Sequence, residues 1–376
     1  MTNTWHRRSV MHVPLENASD TDWCACFDEL WRFSQTLYHY VIPFICVAII
    51  PLNLSVVISC AFILKRGKQP TCTYLFMGNM ALSDLLTGIS LLFDQLFPYA
   101  HQNHYICELK IGMYATSMMT SVYSLGLIGI DRFIYIVHGL QYQRLIYPFR
   151  AKILIMMTWF IGGTIGFLPL MGWHNTNVES KPCWYINTVP KELIILTTVL
   201  GVIPLLTVLV LYSIILHHAL KKICEVQSSW LFRGLPVNEA KSGSSCKKQS
   251  KDVPNHHNDN KLFLLSPLEY PRCSKAIRVV LFTTGCFVVT WFPYLIACLI
   301  YVSECDLEKG SRLCMTLKMA ISSPLALLGS LNSVLNPLIY AWWHKGFRGY
   351  VKENVKKTLV KKISTISLTH SDSSSN

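Results

Sequence analysis

Residues 107–138 read CELKIGMYATSMMTSVYSLGLIGIDRFIYIVH, and the reading of this stretch decides the fold. From Glu108 to Ile130 it is mostly apolar, and at ~1.5 Å per helical residue it crosses a hydrocarbon core of ~30 Å. One helix therefore carries Cys107 at one membrane face and the triplet Asp131-Arg132-Phe133 at the other. An acid and an arginine at a membrane edge are costly unless paired or wetted, which marks them for function. Simple snorkelling of the arginine to the headgroups is the bland alternative. The company the stretch keeps decides between them.

Working outward, seven apolar segments are visible, at 37–64, 73–98, 107–137, 152–171, 192–220, 275–302 and 315–342. Each has about the length a helical span needs. The chain of 376 residues is 51% hydrophobic and 15% charged, a balance that points to a multi-span membrane protein. A formal charge of +13 raises the question of nucleic acid. The basic residues, however, lie between apolar segments and in the tail, as in cytoplasmic membrane-facing loops, so no nucleic-acid partner is expected.

Lys65, Arg66 and Lys68 follow the first segment, Arg144 and Arg150 the third, and Lys221, Lys222, Lys241, Lys247, Lys248 and Lys251 the fifth. The other connections are short and nearly neutral. This bias sets the amino terminus outside and the carboxyl terminus inside. Residues 1–36 then form an extracellular segment, with Asn17-Ala18-Ser19 a glycosylation acceptor. No apolar run follows Arg7-Arg8, so the first span is expected to direct insertion itself. Residues 37–343 form the membrane domain, and 223–273, rich in Ser, Lys, Asn and Gly, read as a flexible third cytoplasmic loop. Residues 344–376 form an amphipathic helix on the inner leaflet and a hydroxyl-rich tail open to phosphorylation.

Only the outer cysteines meet oxidising conditions: Cys24, Cys26, Cys107, Cys183, Cys305 and Cys314. Cys305 and Cys314 share a short loop and are expected to pair, and Cys107 with Cys183 is the next pair. Cys24 and Cys26 are too close for a mutual bridge and stay unassigned.

Three function classes fit seven spans. A transporter or channel would show internal repeats or charged rings along a path, and neither is visible. A membrane enzyme would need His, Asp or Glu clustered within spans, where Asp84 and Asp94 stand nearly alone. The marks on the spans favour a receptor. They are Asn53; Leu82-Ser83-Asp84; Asp131-Arg132-Phe133; Trp159; Pro204 with Tyr212; Phe287 with Trp291-Phe292-Pro293; and Asn336-Pro337-Leu338-Ile339-Tyr340. Their order and spacing resemble the rhodopsin-like (class A) G-protein-coupled receptors over about residues 37–350. The resemblance implies an all-α fold, a seven-transmembrane helix bundle followed by a short amphipathic eighth helix. It implies no enzymatic activity, a plasma-membrane location, a heterotrimeric G protein as partner, and arrestin and a receptor kinase acting at the Ser/Thr tail.

Roles follow by position within that resemblance. Asp84, Ser121, Asn332, Ser333 and Asn336 match the residues that hold an allosteric sodium ion; a water-bridged polar cluster is the alternative. No other cofactor is expected. Arg132, held by Asp131, is the switch toward the G protein, with Tyr212, Asn336, Pro337 and Tyr340 moving on activation. Pro204, Pro293 and Pro337 kink their spans. Phe133 stands where tyrosine is commoner. Gly139 replaces a usual proline, so the second inner loop is expected to be less helical, with Leu140 as an apolar knob. Lys275 and Arg278 are basic and no acid bridges to Arg132, so appreciable basal activity is expected.

For the ligand, Tyr114 stands where amine receptors hold an aspartate, and Ser330 where opsins hold their retinal lysine. Lys110, Tyr114, Ala115, Met118, Trp291, Tyr294, Leu295, Cys298 and Ala326 would line an apolar, sulfur-rich cavity. Met119, Trp173 and Trp184 stand nearby. Gly166-Phe167-Leu168-Pro169-Leu170 with Gly172-Trp173, and the run Ser330 to Trp343, resemble the branch of lysophospholipid, cannabinoid and adenosine receptors. Within it the likeness is to a member sensing fatty-acid amides and lysolipids and coupling to the stimulatory G protein, which raises cyclic AMP. A small lipid-like agonist is therefore expected, a peptide agonist being the alternative. Lys110 either meets a phosphate or pairs with Asp94.

Overall fold

The computed structural model describes residues 29, 32–34, 36–67, 71–97, 103–175, 183–233, 270–305, 312–343, 349 and 353. Apolar runs become helices because in hydrocarbon every backbone N–H and C=O must be paired within its own segment. The helices are α1 (Ile42–Lys65), α2 (Thr71–Leu96), α3 (His104–Val137), α4 (Pro148–Gly166), α5 (Lys191–Arg233) and α6 (Tyr270–Glu304), then α7 (Arg312–Ser322) and α8 (Pro324–Trp343). Among the described residues six helices are long and apolar enough to cross a membrane, or seven if the bent pair Gly139–Leu145 and Pro148–Gly166 counts as one. A π turn, Leu37–Val41, leads into α1.

Most neighbours in sequence pack side by side, α5 rests on α3 and α6, and α8 closes the ring against α1 and α6. The helix α3 touches α2, α4 and α5 and so runs through the middle of the bundle. Its contact with α4 is close because glycines face it. A Cβ on Gly162 would sit 2.7 Å from Thr120 Oγ1, and one on Gly166 would sit 2.8 Å from the Thr116 backbone nitrogen. Small residues at such a seam let two backbones approach where no hydrophobic force drives helices together.

The burial pattern is that of a protein dissolved in lipid. Phe44, Val47, Met156, Phe160, Val210 and Val289 are exposed, whereas Asn53, Asp84, Ser121, Asn332, Ser333 and Asn336 are buried. Apolar groups lose little by facing acyl chains, and polar ones must find one another inside.

Three expectations change. The third inner loop is shorter than 223–273, since α5 continues to Arg233 and α6 begins at Tyr270. No glycine or proline interrupts 219–233 before Gly234 and Pro236, and Pro271 lies in the first turn of α6, where its missing N–H costs nothing. The second inner loop is helical despite Gly139, with a 3-10 turn (Gly139–Gln141) and one α turn (Tyr142–Leu145). The fourth span lies earlier than 152–171, since α4 ends at Gly166 and a turn containing Gly172 at φ +105° follows.

Cys107 is joined to Cys183 and Cys305 to Cys314, with Cα–Cα distances of 5.8 Å and 5.6 Å. Of the 344–362 stretch, Gly349 and Glu353 are helical, and Glu353 pairs with Arg66 at 3.6 Å. Asn17, Cys24, Cys26 and the tail beyond 353 lie outside the described residues.

Candidate functional site

The centre of the bundle is built around one carboxylate. Asp84 is wholly buried and accepts hydrogen bonds from Ser121 (2.8 Å) and Ser333 (3.0 Å) on Oδ1 and from Asn336 (2.9 Å) on Oδ2. These donors come from α3 and α8, so the acid ties three helices together. Asn53 on α1 joins the same region by donating to the Ser333 carbonyl at 2.9 Å. All these partners are neutral, so among the described residues the buried acid has no counter-ion. Asn332, one helical turn before Asn336, is buried, and its carbonyl oxygen has no hydrogen-bond partner among the described residues. A carboxylate whose donors are all neutral is the kind of oxygen ligand that suits a small hard cation.

A second network closes the inner end of α3. Asp131 is fully buried, and both its oxygens are used. Oδ2 accepts from Arg132 Nη2 (2.6 Å), Arg132 Nε (3.1 Å) and Thr73 Oγ1 (2.8 Å). Oδ1 accepts from the Tyr142 hydroxyl at 2.6 Å. Arg132 also reaches Thr73 and lies over the Tyr135 ring, 5.4 Å from its centroid. The arginine is thus folded back on its own helix and on α2. Burial first, and then the Asp131 charge, push the Tyr142 hydroxyl up from its ordinary value, so it stays a proton donor at neutral pH. Tyr212 on α5 is buried against Phe133 and Ile136. Leu140 is fully exposed below this network.

Toward the Cys107 end lies an apolar wall. Met118, Trp291 and Leu295 pack in one buried cluster, with Tyr114 and Tyr294 against it. Cys298, Met119 and Tyr301 belong to a second cluster that shares Tyr294. Trp291 stacks on Phe287 (6.2 Å) and meets Tyr294 edge-on (5.6 Å). Gly329 makes room for it, since a Cβ there would stand 3.0 Å from the Trp291 ring. The Tyr114 hydroxyl bonds Ser330 Oγ at 2.8 Å and donates to the Ala326 carbonyl at 3.1 Å. Tyr114 and Ser330, the two positions that argue against amines and retinal, therefore hold each other. Ala115 and Ala326 are half-buried beside them. Lys110 is engaged in an ion pair with Asp94 on α2.

The family pattern of the seven-transmembrane receptors of the rhodopsin family matches residues 52–340. The chain belongs to that family. The receptor is 28% identical over 322 residues to the glucose-dependent insulinotropic receptor of Rattus norvegicus, covering 84% of this chain and 61% of that one. Against the Homo sapiens protein of the same name it is 25% identical over 301 residues, 78% of this chain and 79% of that one. It is also 25% identical over 305 residues to the alpha-1A adrenergic receptor of Oryzias latipes, 79% of this chain and 62% of that one. The receptor thus spans less than two thirds of the rat and fish relatives. As a member of this family it is a multi-pass membrane receptor and not an enzyme.

Lys275, Arg278 and Tyr340 lie on α6 and α8, but their side chains are outside the described part of the receptor. Pro337 is buried in α8 one residue after Asn336. Three partners were missed in the sequence reading. Thr73 and Tyr142 look like ordinary span-edge residues, and only folding brings them to Asp131. Asn79 accepts from Trp159 Nε1 (2.7 Å) and donates to Ser124 (2.7 Å), binding α2, α3 and α4 through one amide. An asparagine within an apolar run was the available signal.

Proposed function

We propose that the receptor sits in the plasma membrane with its amino terminus outside and its carboxyl terminus in the cytoplasm. It takes a small neutral lipid, such as a fatty-acid amide, and activates the stimulatory G protein. The observation that carries this reading is the wall of Met118 (7% exposed), Trp291 (8%), Leu295 (8%) and Cys298 (1%), which offers a tail apolar and polarisable partners and no charge. The likeness to the insulinotropic receptors supports the same branch. Arrestin and a receptor kinase are the proposed partners of the Ser/Thr tail.

The Lys110–Asp94 pair favours a neutral headgroup over a phosphate, because the lysine already has its counter-charge. Lys110→Ala and Asp94→Ala are each expected to lower surface expression, and to weaken a fatty-acid amide and a lysophospholipid alike. Dose–response curves for both ligands in a cyclic-AMP assay check this. Selective loss of the lysophospholipid response in Lys110→Ala would instead assign that lysine to a phosphate.

We further propose that Asp84, Ser121, Asn332, Ser333 and Asn336 hold a sodium ion in the resting receptor. Its chemistry is charge neutralisation of a buried carboxylate. Agonist affinity should then fall as sodium rises, by about fivefold or more, since a coupling of ~1–3 kcal/mol is usual between linked sites. Asp84→Asn should flatten that dependence in radioligand competition. An unchanged sodium response in the variant would remove the ion from the site.

A further inference from the structure

At the Cys107 end of α3, away from both networks above, three side chains converge. His104 stands in the first turn of α3, Glu108 one turn further on the same face, and His174 in the segment after α4. His104 Nε2 lies 2.9 Å and His174 Nδ1 2.7 Å from one atom, Glu108 Oε1. The two imidazoles meet edge to face with centroids 4.4 Å apart. One ligand atom from each of the three lies within 4.8 Å of the others. The carboxylate is 1% exposed while the His104 and His174 side chains are 34% and 26% exposed, so the cluster opens to solvent on its imidazole side.

Two observations point to a bound cation. Among the described residues Glu108 Oε1 makes no aligned hydrogen bond, although ring nitrogens stand 2.9 Å and 2.7 Å away. His174 Nδ1 also lies 3.1 Å from the Pro169 carbonyl, a hydrogen bond that zinc bound through this nitrogen would replace. Further, no lysine or arginine pairs with Glu108 among the described residues, and Lys110, two positions on, is occupied by Asp94. A carboxylate this deeply buried is costly without a positive partner.

We propose that His104, Glu108 and His174 bind a zinc ion. Imidazole nitrogen and carboxylate oxygen are its ordinary donors at ~2.0–2.2 Å, and three of them leave a fourth position for water on the open side. Magnesium and calcium prefer all-oxygen sets and fit poorly. The ion would add a second fastening to the connection between α4 and α5. The Cys107–Cys183 bridge ties its later part to α3, and zinc would tie its first part, through His174, to the turn next to Cys107. Asn175 already joins the two parts by donating to the Asn187 (3.0 Å) and Val189 (3.1 Å) carbonyls. Zinc therefore stiffens this segment over the end of the bundle that holds Lys110 and Tyr114. This site does not depend on the identity of the agonist.

The test is calorimetric titration of the full receptor in lipid nanodiscs with zinc chloride, and with calcium chloride as control. Other cysteines and histidines also bind zinc, so the reading is a difference in tight equivalents between variants. Wild type should bind one more equivalent than His104→Ala, His174→Ala or Glu108→Gln, whose remaining affinity at this site should be at least ~10-fold weaker. His104 is partly exposed in a first turn, so its removal leaves the fold intact, verified by an unchanged melting temperature without zinc. Cobalt(II) should give the visible absorption of a four-coordinate site in wild type and not in Glu108→Gln. Equal zinc stoichiometry and equal cobalt spectra in wild type and all three variants would overturn the proposal.

Discussion

Arg132→Ala should reduce agonist-stimulated nucleotide exchange to the rate of the G protein alone while leaving ligand affinity nearly unchanged. Arg132 is pinned to Asp131 by two charged hydrogen bonds and to Thr73 on α2, at the end of α3 away from the Cys107 bridge. Charge-assisted bonds of this kind contribute ~1.5–3 kcal/mol each when both partners are present. Once freed, the guanidinium is the one group in this network able to offer a rigid planar set of donors to a partner. Truncating an arginine at the centre of an interface costs ~2 kcal/mol or more, a loss of roughly 30-fold or greater. The fold should survive, because Asp131 keeps Thr73 and Tyr142 as donors. Binding should survive because Met118 lies ~20 Å from Arg132 along α3. Exchange in the variant equal to wild type would remove Arg132 from the switch.

The second large effect is expected of Met118→Trp. Met118 is 7% exposed in the cluster with Trp291 and Leu295. An indole there fills the space proposed for the lipid tail, and overpacking of this kind costs ~1–3 kcal/mol. Lipid potency should therefore fall by at least ~10-fold. Retained basal exchange and normal surface expression would establish that the variant is folded. A peptide bound on the outer loops would be little affected, so full potency of a lipid agonist in this variant would contradict a buried tail.

Much of this architecture can be read before folding is considered. Apolar runs of span length report helices because lipid offers the backbone no other partner. The inner ends of α5 and α6 escape that reading, since the charged and polar residues of 219–233 break the apolar run while the lack of Gly and Pro lets the helix continue. In the candidate sites, Asp84 and Asp131 announce themselves as acids in apolar runs. Their partners do not: Ser333 is 249 residues from Asp84, and Thr73 58 from Asp131. Lys110 had two readings, and only the side-by-side packing of α2 and α3 joins it to Asp94. The His104–Glu108–His174 cluster carries no spacing signature, because its third member comes from another helix's end loop.

A small neutral lipid is proposed to drive this receptor to open a G protein. The most direct test of this is guanine-nucleotide exchange on purified stimulatory heterotrimer by the full receptor in nanodiscs, with fatty-acid amides of graded chain length. Exchange above that of the G protein alone without ligand, rising further with amide concentration, is the expected result. A folded receptor, with Cys107–Cys183 intact, that leaves exchange at the rate of the G protein alone with every amide would contradict it.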